Sequence, residues 1–125
     1  MDADTQVRLD GASPIESDTQ FVELAVEIFG MLADATRVRI ILALTSHDEL
    51  SVNHLADLVD KSSAAVSQHL AKLRMARIVA TRQVGQRVFY RLSNEHASQL
   101  VRDAIHQAEH SLDDPRHHDP VKEQA

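Results

Sequence analysis

Residues 51–91 read SVNHLADLVDKSSAAVSQHLAKLRMARIVATRQVGQRVFYR, and this stretch decides the fold. Ser51 precedes Val52, Leu55, Ala56 and Leu58, an apolar face at helical spacing behind a residue suited to capping. Ser62 or Ser63 can cap a second, longer helix that ends near Arg77. Only Asp60-Lys61-Ser62 separates the two, the short connection of a helix-turn-helix. The runs 78–82 and 87–91 are then rich in β-branched and aromatic residues, with Gly85 between them. That pattern is a β-hairpin, a wing beside the second helix.

Working outward, Asp34 is placed to cap a helix carrying Val38, Ile41, Leu42 and Leu44, and His47-Asp48-Glu49 reads as a turn. A first helix from about Asp18 to Leu32 has Phe21, Leu24, Ala25, Ile28 and Leu32 at helical spacing. Residues 1–17, with Gly11, Ser13 and Pro14, show no periodicity and are expected to form a mobile arm. Asn94 is placed to cap a final helix through about Ser111, and residues 112–125 form a polar, His-containing tail. The working domain is therefore 18–111, mostly α with one β-hairpin wing. A chain of 125 residues has room for one such core, and without Trp that core must be aliphatic. The absence of Cys excludes disulfides and thiolate chemistry and fits a cytoplasmic protein. No apolar run approaches the ~18 residues of a membrane span. Met1-Asp2-Ala3-Asp4 is acidic where a signal peptide would be basic.

The net charge of -6 argues against a nucleic-acid partner until its distribution is read. Residues 1–60 carry a balance of -9 and residues 92–125 a balance of -4. Between them, residues 61–91 hold seven Lys and Arg and no acid at all. A local basic patch attracts a phosphate backbone whatever the global sign. On a helical wheel from Ser63 to Met75, the residues Val66, Leu70 and Leu73 face the core. Ala64, Ser67, Gln68, Ala71, Lys72 and Met75 lie opposite. The alanines permit close approach to a major groove, and Gln68 can pair bidentately with adenine. Ser63, Ala64 and Ser67 sit at the end of the helix that usually meets base edges, and Lys72 can meet a phosphate. In the wing, Arg82 and Arg87 are expected to reach backbone phosphates or a minor groove, and Gln86 between them is a further expected DNA contact. His69, at the edge of the buried face, is expected to be structural.

These residues resemble the ArsR/SmtB family of metal-responsive repressors over about Glu23 to His110. The likeness rests on Leu32-Ala33-Asp34-Ala35-Thr36-Arg37 leading into Ile40-Ile41-Leu42, on Ser63 to Leu70 with Leu73, and on Gly85 to Leu92. It implies a winged helix-turn-helix homodimer, joined through its first and last helices, that binds double-stranded operator DNA and releases it when an effector binds. The end of the chain is most similar to the KmtR-type nickel and cobalt sensors of that family.

Five of the eight His lie between His96 and His118. Nitrogen and oxygen donors alone suit nickel, cobalt or zinc better than softer ions. On the last helix His96, Asp103, Gln107 and His110 form a line beside the apolar face of Val101, Ala104, Ile105, Ala108 and Leu112, with His106 nearby. His96 and His110 are 14 residues apart, about 21 Å along a helix at ~1.5 Å per residue, too far to share one ion within a chain. Antiparallel pairing of two such helices about Asp103 would bring His96 of one copy to His110 of the other. The family's helix site falls on Asn94, His96, Gln107 and His110, of which only the two His are good ligands. Glu109, His106, His117 and His118 are the candidate replacements, while His47 and His54 stand alone in sequence and are not expected to bind. Two other functions remain open. One is a regulator of this type that answers a non-metal signal. The other is a metal-dependent enzyme, for which a chain this short leaves little room.

Overall fold

The computed structural model describes residues 14–113, with side chains placed for 19–112. The tail pair His117 and His118 and most of the expected arm lie outside these residues. The chain divides into two compact units at the Ala33–Asp34 peptide.

The first unit is one helix, α1 (Pro14–Leu32). It begins about four residues before the expected start at Asp18, so residues 14–17, read as part of the arm, are helical. Proline is favoured at the first helical position, where its fixed φ suits the helix and its missing N–H costs nothing. Phe21 is 63% exposed and Phe29 57%, with Val22, Leu24 and Val26 exposed beside them.

The second unit holds α2 (Ala35–Ser46), β1 (Leu50–Ser51), α3 (Val52–Val59), α4 (Ser63–Met75), β2 (Val79–Val84), β3 (Arg87–Leu92) and α5 (His96–Asp113). Asp34 takes an extended backbone and accepts the Arg37 N–H at 3.0 Å, which caps α2. Ser51 caps α3 through the His54 N–H at 3.2 Å. Of the two candidates at α4 the cap is Ser62, which accepts the Ala65 N–H at 3.1 Å. Both helices of the helix-turn-helix close with a left-handed residue. Asp60 (φ 58°) lets the Lys61 N–H reach the Ala56 carbonyl, and Arg77 (φ 62°) lets the Ile78 N–H reach that of Leu73. This closure satisfies carbonyls the helix would otherwise leave bare. It also stops α4 at Met75, two residues short of the sequence expectation, and turns the chain into the wing.

The core is aliphatic, as the composition requires. Ile40, Ile41, Leu55, Val66, Leu70, Leu73 and Val79 are fully buried, where α2 packs on α3 and α5 and α3 packs on α4. The hairpin turns at Gly85-Gln86, where Gly85 has φ +62°, and pairs Arg82 with Phe89 and Thr81 with Tyr90. The sheet has a third strand that sequence reading missed. β1 pairs antiparallel with β3, Leu50 opposite Tyr90 and Ser51 opposite Phe89, so the order is β1-β3-β2. Two residues are too few to show an alternation, and the strand exists only because β3 lies beside it. Asn94 accepts the His96 N–H at 2.9 Å and so satisfies one of the unpaired N–H groups at the start of α5. Among the described residues no helix is long and apolar enough to cross a membrane.

Candidate nucleic-acid interface

Helix α4 sits in the unit as its wheel requires. Val66, Leu70 and Leu73 are fully buried, and Ala64, Ser67, Gln68, Ala71 and Lys72 are exposed on the opposite side. Met75 at the end of that face is 84% exposed. The exposed face is narrow at Ala64 and Ala71 and carries one amide, one hydroxyl and one ammonium. It can enter a groove closely and read hydrogen-bonding groups there. Lys72 and Arg74 stand in the last turn, where cations also complement the helix dipole.

Two contacts hold this face in place. The Ser63 hydroxyl donates to Asn53 Oδ1 at 2.7 Å and ties the start of α4 to α3. Ser63 is therefore exposed, as expected of a base-reading residue, but already partnered. His69 is half-buried, and its Nδ1 accepts from Arg37 Nε at 3.0 Å, which ties the middle of α4 to α2. That bond supports the structural role expected of His69. Asp34 completes the group: the Arg37 N–H, with lesser help from His69 and Thr36, lowers its carboxyl below the ordinary value.

The wing treats its two arginines differently. Arg82 Nε and Nη2 donate to the two carboxylate oxygens of Glu49 at 2.8 and 2.6 Å. The pairing lowers the Glu49 pKa and raises that of Arg82. Arg87 is exposed beside exposed Gln86, and the Gln83 amide braces the turn by donating to the Gly85 carbonyl at 3.1 Å. Both guanidinium groups lie over the Phe89 ring, 5.6 Å and 5.3 Å from its centroid. Sequence reading missed Arg37, Glu49, Asn53 and Phe89. Nothing local marks them, because each acts on a partner in another element.

The candidate metal donors are not gathered by one chain. His96, His106, Glu109 and His110 are all exposed along α5. Among the described residues no three His, Asp or Glu side chains converge on a point that could hold an ion. His47 and His54 need a correction, since they do not stand alone: their rings are 6.1 Å apart, and His47 Nδ1 donates to the Ala43 carbonyl at 3.0 Å. His47 follows the end of α2 and His54 lies in the first turn of α3, and their seven-residue separation does not reveal that the two rings meet.

A helix-turn-helix whose second helix keeps one face exposed, beside a hairpin wing, defines a winged helix-turn-helix DNA-binding protein. The family model described as "Bacterial regulatory protein, arsR family" matches residues 34–81. The HTH-type transcriptional regulator KmtR of Mycobacterium tuberculosis is 55% identical over 109 residues, covering 86% of this chain and 82% of that one. A cadmium resistance transcriptional regulatory protein, the CadC homologue of Staphylococcus aureus, is 39% identical over 84 residues, 66% of this chain and 69% of that one. Among solved structures, the homodimeric winged helix-turn-helix DNA-binding domain Mb0332 of Mycobacterium bovis superposes with a TM-score of 0.68. It is 23% identical and covers 86% of this chain and 95% of that one, a likeness of fold. The chain belongs to the arsR family of bacterial regulatory proteins. It is a transcriptional regulator of that family, not an enzyme.

Proposed function

We propose that the chain is a metal-responsive repressor that binds operator DNA as a homodimer and leaves it when nickel or cobalt, or alternatively zinc, is bound. The DNA half rests on one observation: the acid-free stretch of the sequence folds into one exposed face of α4 and an adjoining wing. Ser63, Ala64, Ser67 and Gln68 would read base edges there, with Lys72, Gln86 and Arg87 on phosphates. The dimer half rests on apolar surface that one chain leaves bare. Leu112 is 69% exposed and Leu100 37% on α5, and α1 exposes both its Phe side chains. Such faces are commonly buried by a second copy. Sedimentation at micromolar concentration should give a dimer without DNA or metal, and a monomer would remove this half of the reading.

The metal half rests on donor chemistry. The CadC homologue is tied by name to cadmium resistance, whereas this chain has no Cys with which to hold a soft ion. Its exposed imidazoles and carboxylate suit nickel, cobalt or zinc. His96 of one copy and His110 of the other would form two symmetric sites, with His106, Glu109, His117 and His118 as further donors. An ion there would fix the crossing of the paired α5 helices and so the separation of the two α4 helices. That separation must match half-sites about one DNA turn apart. By linkage, an ion that prefers a different separation weakens DNA binding by the same factor that DNA weakens ion binding.

A non-metal effector is the second reading. An open cleft of about 580 Å³, lined by Thr45, Arg91, Asn94, Ser98 and Arg102 among others, is large enough for a small polar molecule. Operator affinity measured with and without each of nickel, cobalt and zinc separates the two. Release by none of them would favour the cleft.

A further inference from the structure

Arg82 and Arg87 lie at the two ends of the wing's turn and read alike in the sequence. The sheet separates them. Arg82 stands directly opposite Phe89 on the neighbouring strand, and Arg87 is two residues before Phe89 on the same strand. Both side chains therefore share the face of the sheet that carries the ring. On the other side of β3, Ser51 is opposite Phe89, and Glu49 lies two residues before Ser51. Glu49 is thus at the far edge of the same face, and Arg82 reaches it across the aromatic ring. The result is a two-point carboxylate–guanidinium pair over a π surface, the geometry in which Arg is held most firmly. Glu49 is the less exposed partner, its side chain 24% accessible against 54% for Arg82. Arg91, two residues beyond Phe89, adds a weaker attraction to the same carboxylate. The Arg87 side chain shares the ring but, among the described residues, has neither an ion pair nor a hydrogen-bond partner.

We infer that Glu49 is a positioning residue that holds Arg82 off the DNA backbone, leaving Arg87 as the one of these two wing arginines that meets a phosphate. The inference rests on the DNA-binding reading given above. A guanidinium already closed on a carboxylate brings almost no net charge to the phosphates, so it displaces no counterion. Each true phosphate contact steepens the dependence of log affinity on log salt by about 0.9. The pair therefore sets how many charges the wing spends on sequence-independent binding. It also holds β2 to the loop before β1, which fixes where the wing stands beside α4.

The test is a salt titration of binding to a mixed-sequence DNA duplex long enough for both half-sites, using the full-length protein. Arg87→Ala should flatten the slope by about one unit per subunit. Arg82→Ala removes no phosphate contact but uncovers the Glu49 carboxylate, so it should flatten the slope by clearly less than Arg87→Ala does. Glu49→Gln should steepen it by about one unit per subunit, because Arg82 is released to find a phosphate of its own. Removing a negative charge near DNA could tighten binding by itself. The double variant Glu49→Gln with Arg82→Ala separates that effect: it removes both charges of the pair and should return to the wild-type slope. Equal flattening by Arg82→Ala and Arg87→Ala would overturn the inference. So would a steepening by Glu49→Gln that persists without Arg82. If Glu49→Gln fails to fold, the comparison of the two arginine variants still decides. Failure of the wild-type protein to bind DNA at any salt would instead remove the DNA-binding reading itself.

Discussion

Helices α4 and α5 have similar ingredients and opposite degrees of completion. Each has an apolar face and a polar face, and each carries the residues proposed for one half of the function. The apolar face of α4 is closed inside its own chain: Val66, Leu70 and Leu73 have no accessible surface. The apolar face of α5 is closed only at its start, where Ala97, Ser98 and Val101 are buried. It opens progressively until Leu112 is largely bare. The polar faces follow the same division. The side chains of α4 proposed to read DNA stand together within a few turns. The histidines at the two ends of α5 are too far apart to cooperate within one chain. A helix finished by its own fold can present a rigid surface, whereas one left unfinished is available for coupling copies to one another.

The largest expected effect breaks the finished helix. Leu70→Ala should cost about 2–5 kcal/mol of unfolding free energy, since a fully buried Leu loses both its transfer term and its packing. Denaturant titration checks this, and the loss should not depend on protein concentration. Leu112→Ala makes the contrast, because its effect should grow as the protein is diluted and the dimer dissociates. A concentration-independent loss at Leu112 would show that α5 is also completed within the chain.

Metal coupling comes next. His96→Ala and His110→Ala should each abolish metal-driven release, a coupling typically of ~1–3 kcal/mol, and leave DNA affinity without metal nearly unchanged. Release that survives in both variants, measured with nickel or cobalt added, would sink the intersubunit site and leave the α4 face untouched. Of similar or smaller size, Gln68→Ala should weaken operator binding by ~1–3 kcal/mol at fixed salt while leaving stability unchanged. Unchanged operator affinity would mean that α4 lies elsewhere than in the groove.

The smallest effect concerns acid. Pairing with Arg82, helped by Arg91, depresses the Glu49 pKa, so the unfolded chain binds this proton more readily than the folded one. The stabilisation is therefore complete above the ordinary carboxylate value of 4.5 and fades as pH falls through the lower folded value. Melting temperatures of the wild type and of Glu49→Gln should differ slightly at neutral pH and converge in acid. A gap that persists unchanged to low pH would mean that the pair contributes nothing through its charge.

Much of this was legible before any coordinates, and the boundary is physical. Caps, helical faces and turn residues act within about four positions. Thus Asp34, Ser51, the buried side of α4 and the hairpin at Gly85 could all be read from neighbours in the chain. The block of charge from Lys61 to Arg91 was legible for the same reason, because one contiguous segment forms α4 and the wing, the whole of the proposed reading face. The spacing of His96 and His110 sufficed to exclude a site within one helix, since a helix has a fixed rise. What the tertiary structure decided is every pairing between elements. β1 is a strand only beside β3, and Arg37 reaches His69 across 32 positions. Arg82 is closed on Glu49 across 33. No local pattern encodes such partners, because the distance between them is set by how the helices and sheet pack. For that reason the sequence presented Arg82 and Arg87 as equals, and the sheet register set one on a carboxylate and left the other open to solvent.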